Sequence, residues 1–239
     1  MVRNLVRSSI AAIILAAFAS ASHAAPPYSL DFSAGTSGWR FATTETPATA
    51  LTTIASGGAV DGGAFIRKTM TTLTGTNPMS PTTALMFRAH KTYSGIDTDF
   101  SGNWMAVEEV RAWVRHDAPD PLPFVGRFAA TFNSPAAFYT ESPLVQPNVW
   151  TELVFTISPA SPDLTTYEAG TYYDVFQGFD GTGVSNMQFG VSIPASLAGT
   201  GPYNFDFDKV SIITPEPGSA ALAAFGLAGL GLFVRRKSR

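Results

Sequence analysis

Cysteine is absent from all 239 residues, which excludes disulfides, thiolate nucleophiles and cysteine-ligated zinc. Charge is sparse. Lys, Arg, Asp and Glu make up 14% of the chain and the formal net charge is −3. Six of the fifteen basic residues (Arg3, Arg7, Arg235, Arg236, Lys237 and Arg239) and one of the eighteen acidic ones (Glu216) lie outside residues 26–214. That middle stretch keeps nine basic and seventeen acidic residues, a net of −8. So acidic a segment lacks the clustered Lys and Arg that nucleic acid or anionic lipid requires, and no nucleic-acid partner is expected. Histidine is scarce as well, with only His23, His90 and His116. No Gly-x-Ser-x-Gly elbow, His-Glu-x-x-His pair or Gly-x-x-x-x-Gly-Lys loop occurs, so nothing calls for a cofactor.

What is present is apolar bulk: 45% hydrophobic and 12% aromatic residues, enough to build a sizeable core. Two apolar runs stand at the ends. Arg3 and Arg7 precede the run from Ile10 to Ala19, and small residues including Ser22 and Ala24 follow. A basic start, a short apolar segment and a small-residue break are the parts of a secretory signal peptide. Residues 1–24 are read as that peptide, with cleavage by signal peptidase after Ala24 or Ala25. An uncleaved anchor is the alternative, against which the short apolar run argues.

At the other end, Pro215-Glu216-Pro217 leads into seventeen apolar or small residues, Gly218 to Val234, and then Arg235-Arg236-Lys237-Ser238-Arg239. As a helix rising about 1.5 Å per residue, 218–234 would span roughly 25 Å. That suffices for a transmembrane helix if the arginines snorkel, the hydrocarbon core being about 30 Å. The basic end would stay cytoplasmic and leave the rest of the chain outside. The tripeptide, the Gly/Ala/Leu-rich span and the Arg-rich end, in that order, resemble the PEP-CTERM sorting signal of Gram-negative bacteria. The resemblance covers residues 215–239 and marks Pro215, Glu216, Pro217, Arg235 and Arg236 as the sorting motif. It implies an exosortase partner, an inner-membrane intermediate, and release to the cell surface or extracellular matrix. An ordinary membrane anchor is the rival.

Between the ends, residues 26–214 show no sustained 3.6-residue stripe. Short alternations broken by Gly, Pro, Asn and Asp recur, as in strands and turns. Leu85, Phe87 and Ala89 alternate with Met86, Arg88 and His90. Val110, Ala112 and Val114 alternate with Arg111, Trp113 and Arg115. Phe128, Ala130 and Phe132 form a third run, Leu153, Phe155 and Ile157 a fourth, and Met187 to Ile193 a fifth. In the last strand Phe205 and Phe207 have odd parity but Val210 and Ile212 even, which predicts a β-bulge near Asp208 and Lys209. Eight or nine such strands without helical crossovers predict an all-β, antiparallel sandwich. Thr43–Gly63, Asp117–Pro123 and Ser158–Ala169 read as loops. Asp31-Phe32 running to Gly38-Trp39, with Asp208-Lys209-Val210-Ser211-Ile212 at the other end, resembles the first and last strands of jelly-roll modules. Many carbohydrate-binding modules belong to that group. The resemblance implies a fold, which does not supply a function.

Candidate chemistry is thin. His90 and His116 read as surface histidines. Glu108 and Glu109 are adjacent, so on a strand they face opposite ways and cannot act as a glycosidase pair. Turn carboxylates, with Asp206, Asp208 and Asp31 foremost, could hold a structural calcium ion, although turn-forming Asp and Gly without metal are the preferred explanation. The constellation that invites a ligand is the outward row. Arg111, Trp113 and Arg115 share one face, and Arg88, His90 and Arg127 lie on the polar phase of other strands. If those strands neighbour, the groups form a positive, stackable platform suited to sugar rings and carboxylates. A solvated sheet face with arginine stems over the Trp is the alternative. These readings together describe a surface-sorted, non-catalytic β-sandwich with a binding or matrix role toward exopolysaccharide. A secreted hydrolase with a loop-built site and a plain anchored envelope protein are the alternatives.

Overall fold

A computed structural model describes residues 28–41, 51–75, 82–130, 136–139, 143–167, 171–177 and 183–214. The proposed signal peptide, the Pro215-Glu216-Pro217 motif, the apolar span 218–234 and the basic end lie outside these residues. Among the described residues no helix is long and apolar enough to cross a membrane.

The chain forms the expected antiparallel β-sandwich. Its described strands are β1 (Tyr28–Leu30), β2 (Thr52–Ile54), β3 (Phe65–Met70), β4 (Thr83–His90), β5 (Glu109–His116) and β6 (Leu122–Ala129). They continue with β7 (Ala136–Tyr139), β8 (Leu144–Val145), β9 (Thr151–Thr156), β10 (Leu164–Tyr167), β11 (Asn186–Ser192) and β12 (Tyr203–Ile213). Sheet A runs β2-β3-β12-β5-β9, with β1 also paired to β12. Sheet B runs β10-β7-β6-β11-β4, with β8 also on β6. The chain passes from sheet to sheet as it goes (β3 to β4, β4 to β5, β5 to β6), so consecutive strands close the sandwich instead of extending one layer. One short helix, α1 (Tyr172–Phe176), carries a capping box in which Thr171 and Asp174 exchange hydrogen bonds.

Aromatic rings fill the space between the sheets, because alternate residues of each strand point inward and those positions are rich in Phe. Phe207 sits among Phe32, Trp39, Phe87 and Phe189, with ring centroids 5.7, 5.1, 4.9 and 5.0 Å away. Phe155 packs between Phe128 at 6.0 Å and Phe189 at 5.7 Å.

Two bulges set which side chains face out. In β12 the register slips between Asp208 and Val210, and Lys209 takes φ 26°. That is the parity change read from Phe207 and Val210. In β4 the register slips opposite Phe189 and Gly190, so Phe87 pairs with Phe189 but Leu85 with Gly190. The extra residue is Met86, and the slip corrects one reading: Ala84, Met86, Phe87 and Ala89 join the main core, while Leu85 faces the other way and contacts Val125. Gly190 is required there, since a Cβ would lie 2.0 Å from the Ala84 carbonyl oxygen. The stretches read as loops also contain short strands: β2 within 43–63, the start of β6 within 117–123, and β10 within 158–169.

Candidate binding face

The outer face of sheet A is the polar phase of β3, β12, β5 and β9. In β5 the burial alternates without a break, with Val110, Ala112 and Val114 buried and Arg111, Trp113 and Arg115 half-exposed. Strand register aligns these residues with partners on either side. Arg67, Asp206 and Arg115 form one cross-strand row over β3, β12 and β5. Asp208, Trp113 and Glu152 form the next, over β12, β5 and β9.

The first row is ionic and tightly bonded. Arg67 donates Nε to Asp206 Oδ1 at 2.6 Å and Nη2 to Oδ2 at 2.9 Å. Arg115 donates Nε and Nη2 to Oδ2 at 2.9 and 2.7 Å. The Asp206 side chain is 3% exposed, against 30% for Arg67 and 24% for Arg115. The carboxylate is thus the buried base of the row and the guanidiniums its accessible upper surface. Charge-assisted bonds of this kind fix both position and orientation. The Arg115 guanidinium also lies 4.5 Å from the centroid of Trp150, whose ring meets Phe65 edge-on at 5.3 Å.

At the end of the row is a pocket of about 190 Å³, lined by Arg67, Arg115, His116, Asp117, Asn148, Asn204 and Asp206. Asn204 closes one side: Asp117 accepts its backbone N–H at 2.7 Å and its side-chain N–H at 2.6 Å. Asn148 holds φ 62° while its backbone N–H donates to His116 at 2.6 Å. Asparagine tolerates that left-handed conformation better than most residues.

On the other side of the first row, the turn at 57–63 straps the face. Ala59 and Val60 donate to Asp208 Oδ2 at 2.8 and 3.4 Å, and Lys209 donates to Oδ1 at 2.7 Å. Trp150 Nε1 donates to Gly57 at 3.0 Å. Gly58 passes so close that a Cβ would lie 2.6 Å from Asp208 Oδ2. Burial raises the Asp208 carboxyl above its ordinary range, opposed by the three backbone N–H bonds and reinforced by nearby Asp31.

The residues expected to form one platform are divided between the two sheets. Arg111, Trp113 and Arg115 are on β5 of sheet A, whereas Arg88 and His90 on β4 and Arg127 on β6 belong to sheet B. Those strands do not neighbour β5, so the six side chains share no face. Nor is the sheet A set a field of spare positive charge: Arg111 pairs with Glu109 at 2.6 Å and Arg115 with Asp206. On sheet B, Gln188 aligns with both Arg88 and Arg127 across β4, β11 and β6. Arg127 Nη1 donates to Gln188 at 2.9 Å, and Arg88 Nε to Asn186 at 3.1 Å. This row is buried.

Both strand histidines are buried too, contrary to a surface reading. His90 Nδ1 accepts the Thr92 backbone N–H at 3.2 Å, and burial, followed by the Arg88 and Lys91 charges, pushes its pKa down to about 4. His116 lies between Phe124 and Phe205, with Nε2 2.9 Å from the Val145 oxygen. Burial likewise lowers its pKa. It points inward because His116 continues the Val110-Ala112-Val114 phase.

The three carboxylates considered for calcium serve separate ends. Asp206 is bonded to two arginines, Asp208 to backbone N–H groups, and exposed Asp31 accepts the Ser33 N–H at 3.0 Å. No group of three or more His, Asp or Glu side chains among the described residues is arranged to hold a metal ion. Sequence reasoning did not find Arg67, Asn148 or Trp150. Arg67 lies in a strand whose inward phase carries Lys68 between Ile66 and Met70, which breaks the apolar alternation.

The profile of the PEP-CTERM protein-sorting motif matches residues 214–237, so the chain ends in the sorting signal of exported proteins directed to the cell envelope. A search of curated proteins finds no match. Among solved structures, the chain is similar to the CBM22-1 and GH10 modules of a Clostridium thermocellum xylanase complexed with xylohexaose (13% identity, TM-score 0.43), covering 78% of this chain and only 27% of that one. It is also similar to a family 11 carbohydrate-binding module of a C. thermocellum cellulosomal cellulase (12% identity, TM-score 0.39; 79% of this chain, 86% of that one). A family 30 module from the same organism is a third such structure (12% identity, TM-score 0.40; 72% and 86%).

Proposed function

We propose that this envelope-sorted chain is a non-catalytic β-sandwich that binds extracellular polysaccharide through the outer face of sheet A. The observation that carries the reading is the Arg67-Asp206-Arg115 row. Two guanidinium planes are held from below by one buried carboxylate, beside Trp150 and an open polar pocket. Such a row is pre-organised, so a ligand meets groups that lose little freedom on binding. Its chemistry is that of contact and not of turnover. Asp206 and Asp208 are committed to arginines and backbone N–H groups, His90 is buried on sheet B, and His116, although it lines the pocket, is buried with its Nε2 held at the Val145 oxygen. The tail fits the same reading: signal peptidase would free the start of the chain, and exosortase would act near Pro215-Glu216-Pro217 after an inner-membrane stage.

Two measurements test this. Protein recovered from the envelope should be retarded in a gel containing exopolysaccharide from the same cells, and unchanged mobility would refute the binding role. Replacing Pro215-Glu216-Pro217 with three alanines should leave the unprocessed chain in the inner membrane. Normal processing in that variant would instead support a plain membrane anchor.

A further inference from the structure

We infer that the pocket between Arg67, Arg115, Asp117 and Asn148 receives a single uncharged sugar ring and selects against acidic sugars. This rests on the polysaccharide-binding reading above and adds the class of sugar.

The first argument is charge. Arg67 and Arg115 bring two positive charges to the pocket, and Asp206 and Asp117 bring two negative ones. His116, lining the same space, is held neutral by burial. The local sum is zero. A carboxylate or sulfate entering here would bring an unmatched charge, and residues 26–214, at net −8, repel a polyanion from a distance as well.

The second argument is the kind of hydrogen bond on offer. Each guanidinium carries five N–H donors and spends two on Asp206. Asp206 already accepts four such bonds, so the remaining N–H groups are left for other acceptors. Asn148 adds an amide, which both donates and accepts, and the Asp117 oxygens keep lone pairs beyond the two bonds from Asn204. Donors and acceptors thus stand side by side. A sugar hydroxyl donates once and accepts twice, so it fits such a mixture, whereas a carboxylate group would offer no further donor to the Asp117 lone pairs left by Asn204. The third argument is size and apolar surface. About 190 Å³ is below the roughly 300 Å³ at which pockets begin to hold drug-sized ligands, so one ring is the natural occupant. Val149, next in sequence to the lining residue Asn148, is 52% exposed and supplies an apolar surface for the C–H face of a ring.

The test uses full-length protein extracted from envelopes and exopolysaccharide from the same cells, split by anion exchange into neutral and acidic pools. The protein should be retained on the immobilised neutral pool, equally at about 0.1 and 1 M salt, a range that collapses the screening length from about 10 to 3 Å. Asn148→Gly keeps the positive φ but deletes the amide, and should weaken retention about three- to tenfold with an unchanged unfolding midpoint. Asp117→Asn gives the pocket a net positive charge and should create salt-sensitive retention on the acidic pool. Retention of the unaltered protein on the acidic pool, lost at high salt, would overturn the choice of sugar while leaving the binding function intact. Retention on the neutral pool with both variants unaffected would remove the pocket from the mechanism. Retention on neither pool would defeat the binding reading itself.

Discussion

Arginines stand on the outward phase of both sheets, and the two groups have opposite surroundings. On sheet A, Arg67, Arg111 and Arg115 keep 30, 42 and 24% of their side chains exposed and pair with carboxylates. On sheet B, Arg88 and Arg127 are 5 and 8% exposed and donate to the amide oxygens of Asn186 and Gln188. Strand parity assigns a side chain to a face. It carries no information on whether that face meets solvent or is covered. The two sheets therefore divide the work: sheet A carries the accessible, charge-balanced surface, and sheet B, buried on both sides along β4, β6 and β11, carries the structure.

Substitutions can break this division, and the largest effect belongs to the core the sheets share. Phe155 is fully buried between Phe128 and Phe189, so Phe155→Ala should cost about 3–5 kcal/mol through lost burial and the cavity left behind. Thr156 is exposed on the opposite phase, and Thr156→Ala should cost little. Equal losses in chemical denaturation would mean that β9 does not present its faces as described. On sheet B, Arg127→Ala strands the Gln188 oxygen away from water. It should cost about 1–3 kcal/mol, the penalty for an orphaned buried acceptor, and a smaller loss would show that the face is wetter than its burial implies.

Acid should act through sheet B as well. His90 has a pKa of about 4 when folded and about 6.5 when unfolded. Between these values the unfolded chain binds a proton that the folded chain refuses, so stability rises with pH. The contribution is fully present above about pH 6.5 and declines as pH falls toward 4. Protonation would also sever the bond that Nδ1 accepts from Thr92. His90→Gln should flatten the unfolding midpoint against pH between about 6.5 and 5, above the range where carboxylates dominate. His116 shifts in the same direction, so some slope should persist. An unaltered slope in His90→Gln would place the acid sensitivity elsewhere.

How much was legible in the sequence follows from where each signal is stored. The sandwich, the β5 phase and the β12 bulge are local patterns, each visible within a dozen residues. Strand β3 escaped because Lys68 occupies its apolar phase, where it lies 4.1 Å from the Phe41 ring and so tolerates burial. Leu85 was placed on the wrong face because one bulge residue, Met86, inverts parity without changing composition. The Arg67-Asp206-Arg115 row could not be read at all, since its members are 139 and 91 residues apart in the chain. Only the strand order of sheet A brings them into register.

The smallest expected effect is the one that tests the comparison most directly. Arg111 sits on β5 two residues from Trp113, pairs with Glu109 at 2.6 Å, and reaches Glu152 only at 4.0 Å. Its side chain is the most exposed of the three sheet A arginines. In water the attraction between such charges is screened and is offset by the entropy of holding two long side chains together, so many pairs of this kind contribute nothing measurable. Arg111→Ala should leave the unfolding midpoint where it was, at low and at high salt, while Arg127→Ala lowers it. The two variants remove the same side chain from outward strand phases, one exposed and paired with Glu109 and the other buried against Gln188, so their difference shows what coverage adds. If Arg111→Ala proves as damaging as Arg127→Ala, the outer face of sheet A is covered in solution, and neither it nor the pocket at its end is available to a polysaccharide.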